Sequence, residues 1–186
     1  MTGEHIYVSW ADVEQMTYRL ATRDLLPSER PEVIIGVASG GLIPAVMLAK
    51  FFKVERFLTV RAKHYHDGDG GSHRMMPTVN LSWAALTGLG RDLSRVWVVD
   101  DIVDTGETMR VVKEHIRGQA SGGAEGTPRS VSLFWRSGGP LTCPPPDRYA
   151  FPVTSDAWVV FPWEWDGPAW KGLDGLTTPV AAAGGC

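Results

Sequence analysis

Hydrophobic and polar positions along the chain alternate between two periods. Val13, Met16, Leu20 and Ala21 recur at helical spacing behind Ser9 and Asp12, a pair suited to capping, which predicts an amphipathic helix over roughly residues 10–25. Pro27 and Pro31 then bracket a turn. The run VIIGVA, Val33–Ala38, is short, apolar and rich in β-branched residues, as a strand buried on both faces would be, and it stops at SerGlyGly. Leu42–Phe52 reads as a helix with Pro44 tolerated in its first turn. Phe57–Lys63 is a strand candidate, whereas His64–Pro77, which contains HDGDGGSH, lacks apolar periodicity and reads as a mobile loop. VWVVD, Val96–Asp100, is the clearest strand, and Glu107 to about Ile116 reads as a helix. Residues 118–129 form a connector, SVSLFWR (Ser130–Arg136) alternates as a strand, and CPPP turns the chain. Short apolar pieces follow at Tyr149–Val153 and Trp158–Phe161, before PWEW. Residues 1–170 are expected to form one domain, and 171–186, ending TTPVAAAGGC, a disordered tail.

Strands alternating with helices argue for an α/β fold, a parallel sheet with helices on both faces. Ligands of such sheets gather beyond the carboxyl ends of the strands. That rule puts SerGlyGly, the pair Asp100 and Asp101, and Arg136 along one rim.

With 186 residues, 44% of them hydrophobic, the chain suffices for one core and hardly for two. A net charge of −3 gives no general attraction to nucleic acid or to an anionic membrane, so phosphate binding must be local. The start, MTGEHIYVSWADVEQ, has neither a basic n-region nor an apolar h-region, and no stretch approaches the roughly 18 apolar residues of a membrane span, so a cytoplasmic protein is expected. Cys143 and Cys186 do not form a metal spacing and are read as free thiols.

The informative segment is VWVVDDIVDTGETM, Val96–Met109. An apolar strand delivers Asp100 and Asp101 to the sheet edge, and Asp104, Thr105, Gly106, Glu107 and Thr108 open a helix. Amides at a helix N-terminus, a Gly that permits close approach and two Thr hydroxyls make a phosphate cradle without a Lys. Carboxylates beside a phosphate make sense when they hold ribose hydroxyls, or a Mg²⁺ that the ligand's pyrophosphate also binds. Taken out of context, DDIVDTG would pass for an acidic turn capping a helix through Asp104 or Thr105. The strand before it and the helix after it favour the cradle.

VVDDIVDTGET resembles the binding signature for phosphoribosyl pyrophosphate (PRPP) of type I phosphoribosyltransferases. The resemblance implies that fold, with a small C-terminal hood. It also implies that Asp100 and Asp101 contact the ribose hydroxyls or the Mg²⁺ complex, with Asp101 the candidate metal ligand. Asp104 to Thr108 would wrap the 5′-phosphate, and Asp104 is the candidate general base. VASGGLIPA matches the family's pyrophosphate loop, placing Ser39, Gly40 and Gly41 there, although Ser39 stands where many bacterial xanthine-guanine enzymes carry Arg. DAWVVFPWEW, Asp156–Trp165, resembles the DxWxxxPW segment of bacterial and archaeal 6-oxopurine enzymes, in which the Trp stacks on the base; the matching residues are Trp158 and Val159. Trp163 and Trp165 fit a core role as well as a site role.

Arg136 falls where purine enzymes of this family place a Lys toward the 6-oxo group, which leaves open a base offering two acceptors to a forked guanidinium. Lys63 and Arg74 belong to the segment from Lys63 to about Met76, whose counterpart closes over the site in this family, and are candidates to neutralise pyrophosphate; a metal site among His64, His66 and His73 is disfavoured by their spacing. The resemblance implies transfer of phosphoribose from PRPP to guanine, xanthine or hypoxanthine in purine salvage, with Mg²⁺ as cofactor, in a homo-oligomer, dimer or tetramer. The alternatives are a different acceptor base and a PRPP-sensing regulator; no basic face or DNA-binding domain supports the regulator.

Overall fold

The unbroken apolar run at Val33–Ala38 becomes an interior strand of a six-stranded sheet in the computed structural model, which describes residues 5–63, 78–80, 92–120, 124–137, 144–154 and 157–164. In chain order the elements are β1 (His5–Tyr7), α1 (Trp10–Thr22), β2 (Val33–Ala38), α2 (Leu42–Phe52), β3 (Arg56–Lys63), β4 (Thr78–Asn80), β5 (Val96–Val103), α3 (Glu107–Gln119), β6 (Arg129–Arg136), β7 (Arg148–Val153) and β8 (Trp158–Val160). The large sheet runs β4-β3-β2-β5-β6-β7 and is parallel except where β4 pairs with β3. An antiparallel edge strand on a parallel sheet is a common variation. The chain divides into two compact units, one spanning Val13–Ser155 and the other joining Met1–Asp12 to the part from Asp156 onward.

In the larger unit both sheet faces are buried. Val33, Ile35 and Val37 of β2 pack with Val60, Val96 and Val98 beneath Met109, Val112 and Ile116 of α3. On the opposite face Gly36 makes room for α2: a Cβ there would stand 3.0 Å from Ala45 Cβ and 3.1 Å from Leu42 Cδ2. Phe52 at the end of α2 meets the Trp97 ring edge-on at 5.4 Å. Helices therefore cover both faces, and each fully buried Val or Ile contributes about 1.5–3 kcal/mol of hydrophobic stabilisation.

The predicted cap of α1 is a reciprocal box. Ser9 Oγ donates to Asp12 Oδ2 at 2.6 Å, the Ser9 amide donates to the same oxygen at 2.9 Å, and the Asp12 amide donates back to Ser9 Oγ at 3.2 Å. These bonds, the hydroxyl first, hold the Asp12 carboxyl below its usual range. The helix stops at Thr22, short of the expected residue 25, because Asp24 turns the chain in the left-handed region with φ 50°.

In the smaller unit β1 and β8 pair in parallel, with His5 opposite Trp158, Ile6 opposite Val159 and Tyr7 opposite Val160. Sequence patterning did not predict β1, since three residues carry no measurable period. Residues 64–77, including Arg74, residues 171–186, Cys143, Cys186 and Trp165 lie outside the described residues. Among the described residues no helix is long and apolar enough to cross a membrane.

Candidate active site

At the carboxyl end of β2 the Ala38–Ser39 peptide bond is cis, and SerGlyGly leads directly into α2. The Leu42 amide donates to Ser39 O at 3.2 Å and the Ala45 amide to Gly41 O at 3.1 Å. Gly41 is buried so tightly that a Cβ would lie 2.7 Å from Asp100 Cα and 2.8 Å from Val37 O. A Cβ on Gly40 would run into the Asp101 carboxylate, 2.5 Å from its Cγ. The glycines are what let the loop after β2 lie against the acidic end of β5.

Asp100 and Asp101 are half-buried at that end. The Asp101 amide donates to Asp100 Oδ1 at 3.0 Å, and the Ile102 amide to Asp101 Oδ1 at 2.8 Å. Desolvation, followed by repulsion from Asp101, raises the Asp100 carboxyl well above its usual range; desolvation also raises Asp101, against the bond from Ile102. A ligand that brings a cation or hydroxyl donors relieves this unfavourable charge.

Asp104 follows as an exposed residue, and Arg136 Nε at the end of β6 donates to its Oδ1 at 2.9 Å. The guanidinium is 14% exposed and the carboxylate 61%, so the pair has a sheltered cationic side and a solvent-facing anionic side. Gly106, with φ 75°, is the N-cap of α3, a conformation that costs a side-chain-bearing residue roughly 1–2 kcal/mol. The Glu107 amide donates to Thr105 Oγ1 at 3.4 Å, and Arg110 Nε holds the Glu107 carboxylate at 2.9 Å. Thr105 to Thr108 thus surround the amide end of a 13-residue helix.

Lys63 ends β3 with its backbone paired to Thr78. Sequence reading missed Arg61, which the parallel register sets beside Ala38 at the start of the glycine loop and which makes no ion pair among the described residues. Its signal was the alignment of two strand ends, which exists only once β2 and β3 are paired.

In the smaller unit Trp158 exposes 63% of its surface while Val159 is buried. Trp163 instead stacks on Phe161, with centroids 4.7 Å apart, and tilts against Trp10 at 5.9 Å. Trp163 therefore belongs to this unit's packing, and Trp158 presents an open ring face. Among the described residues no group of three or more His, Cys, Asp or Glu residues could hold a metal by itself.

The model of the phosphoribosyl transferase domain family matches residues 12–135, from the first turn of α1 to β6. The chain belongs to this family. Over 162 residues it is 30% identical to the xanthine-guanine phosphoribosyltransferase of Chromohalobacter salexigens, a match covering 84% of this chain and 82% of that one. It is 26% identical over 164 residues to the enzyme of the same name from Idiomarina loihiensis, covering 88% and 89%. The crystal structure of a purine phosphoribosyltransferase from Pyrococcus horikoshii superposes with a TM-score of 0.65 at 32% identity, covering 87% of this chain and 94% of that chain. The protein is thus a phosphoribosyltransferase of the α/β type I fold, and the matched region contains the glycine loop, the acidic pair and the DTGET turn.

Proposed function

We propose that this phosphoribosyltransferase moves the 5-phosphoribosyl group of PRPP onto a 6-oxopurine, releasing pyrophosphate and the nucleoside 5′-monophosphate. The observation that carries the reading is the Arg136–Asp104 contact at 2.9 Å, which puts a guanidinium donor and a carboxylate side by side just before the turn that opens α3. A 6-oxopurine presents the complementary pair, a 6-oxo acceptor next to an imidazole N–H. Adenine would turn an amino donor toward the guanidinium, which has no acceptor. The names of the xanthine-guanine relatives support the same substrate class.

In this mechanism the amides and hydroxyls of Thr105 to Thr108 hold the 5′-phosphate. Asp100 and Asp101 accept hydrogen bonds from the ribose hydroxyls, and the amides of Ser39 to Gly41 face the pyrophosphate. Arg61, with Lys63 and Arg74, supplies the positive charge that Ser39 lacks. The acidic pair also fits Mg²⁺, which characteristically takes one or two carboxylates and completes its shell with water and substrate phosphate; Asp101 is the carboxylate proposed to hold it. When bound, Mg²⁺ neutralises charge on the leaving pyrophosphate. The anomeric C–O bond breaks as positive charge grows on the ribose, which the half-buried carboxylates favour. The imidazole nitrogen remote from the 6-oxo group bonds to that carbon through its lone pair, while the N–H beside the 6-oxo group gives its proton to Asp104. Trp158 and Val159 are proposed to receive the base, the first by stacking and the second through its backbone. The setting we infer is purine salvage in the cytoplasm.

Arg136 favours one other acceptor class, a base with two adjacent acceptors matching a forked guanidinium. The test incubates purified protein with PRPP, Mg²⁺ and each base in turn, following nucleotide and pyrophosphate by chromatography. Turnover with guanine, xanthine or hypoxanthine is expected. Turnover with non-purine bases alone would establish the other acceptor class, and PRPP binding without turnover on any base would sink the enzymatic reading.

A further inference from the structure

At the opposite end of the sheet from the catalytic rim, a cleft of about 200 Å³ opens between the last turn of α1 and the start of β7. The six residues of β7 put it on the order of 20 Å from that rim. Arg19, Arg23, Asp24, Asp147, Arg148 and Tyr149 line it.

The acids here are already engaged. Asp147 accepts from the Ser130 amide and hydroxyl, each at 2.7 Å, and from Lys113 Nζ at 3.1 Å. Asp24 lies 3.4 Å from Arg23 Nε, and nearby Glu29 is held by Arg129 at 2.9 Å. Arg19 and Arg148 have no carboxylate partner among the described residues. Arg19 lies over the Phe151 ring at 4.7 Å, and its Nε is buried without a hydrogen-bond acceptor. Arg148 donates to Leu20 O at 3.3 Å and to Arg23 O, and lies over the Trp97 ring at 5.9 Å. Desolvation lowers the basicity of Arg148 against the attraction of Glu29 and Asp24, with Arg129 and Arg23 adding repulsion. Because Arg148 occupies carbonyls at the end of α1, the negative end of that helix is covered on the cleft side.

We propose that this cleft is a second anion site, binding a small oxyanion, phosphate or pyrophosphate, between Arg19, Arg23 and Arg148. Size decides the class. At about 200 Å³ the cleft is smaller than the roughly 300–1,000 Å³ of pockets that enclose drug-sized molecules, so it suits a phosphate group and not a whole nucleotide. An oxyanion held between Arg19, Arg23 and Arg148 gives the three guanidinium groups lining the cleft one shared charged acceptor. None of these residues belongs to the proposed transfer chemistry, so the site stands apart from that reading.

The test is calorimetric titration of the full chain with pyrophosphate and, separately, orthophosphate, without divalent metal. Wild type should bind at least one of them. Arg19→Gln and Arg23→Gln should each weaken that event by about tenfold or more, the cost of losing a charged hydrogen bond. Asp24→Asn should tighten it by about threefold by removing a repelling carboxylate, a gain that a misfolded variant would not show. All three should keep wild-type melting cooperativity. No binding of either anion by wild type, or binding that ignores all three substitutions, would overturn the proposal; the second outcome would assign the anion to the glycine loop and DTGET turn.

Discussion

Asp104 and Arg136 are 32 positions apart and meet at 2.9 Å, so each is a test of the other. Asp104→Asn removes the proton acceptor while leaving the amides of the following turn in place. Turnover should fall by about 10²–10⁴-fold with PRPP affinity changed little; equal turnover would remove Asp104 from the role of general base. Trp158→Ala should raise the KM for the base by about fivefold to a hundredfold, as expected for one lost stacking face, with PRPP binding unaltered. Asp100 gives a pH signature in the ligand-free protein. Its carboxyl is raised by burial, so the folded state holds its proton to higher pH than the unfolded chain, and stability is lost as pH rises from about 4 through the raised value. Asp100→Asn should therefore raise Tm at pH 8, and the gain should vanish near pH 4. A gain independent of pH would mean that packing, not charge, limits this site.

Two glycines make opposite predictions about the elements that carry them. Gly41 sits where α2 begins, and a methyl group there meets the backbone of β5, so Gly41→Ala should destabilise by about 1–3 kcal/mol and disturb the loop against Asp100. Gly118 lies in the last turn of α3 with nothing within 4 Å of an added Cβ, so Gly118→Ala should stabilise by about 0.5–1 kcal/mol. Urea denaturation of the two variants measures both signs. The difference was not legible locally, because both glycines adjoin helical patterns. What separates them is the strand across from Gly41. By contrast β2, α2 and most of β5 were legible, since their signals are runs and caps of adjacent residues, while β1 and β4 are short strands whose existence depends on the partners they pair with.

For the whole molecule we expect a dimer or tetramer, a reading supported by the exposed Tyr18, Val46 and Phe51 of α1 and α2. Sedimentation equilibrium checks it, and a monomer at micromolar concentration would refute it. The proposed phosphate cradle was legible as a candidate in the sequence because its strand, acidic pair, Gly and Thr residues are contiguous, so one local conformation brings them together. The same holds for the two-sided burial of β2, written in its unbroken apolar run. The order of strands, the placement of Arg61 beside Ala38, the Asp104–Arg136 pair and the arginine cleft between α1 and β7 belong to the tertiary structure alone. Each joins residues far apart in the chain. Hydrophobic periodicity records which face of an element is buried but not which element covers it, and that choice is made only when the strands pair and the helices pack.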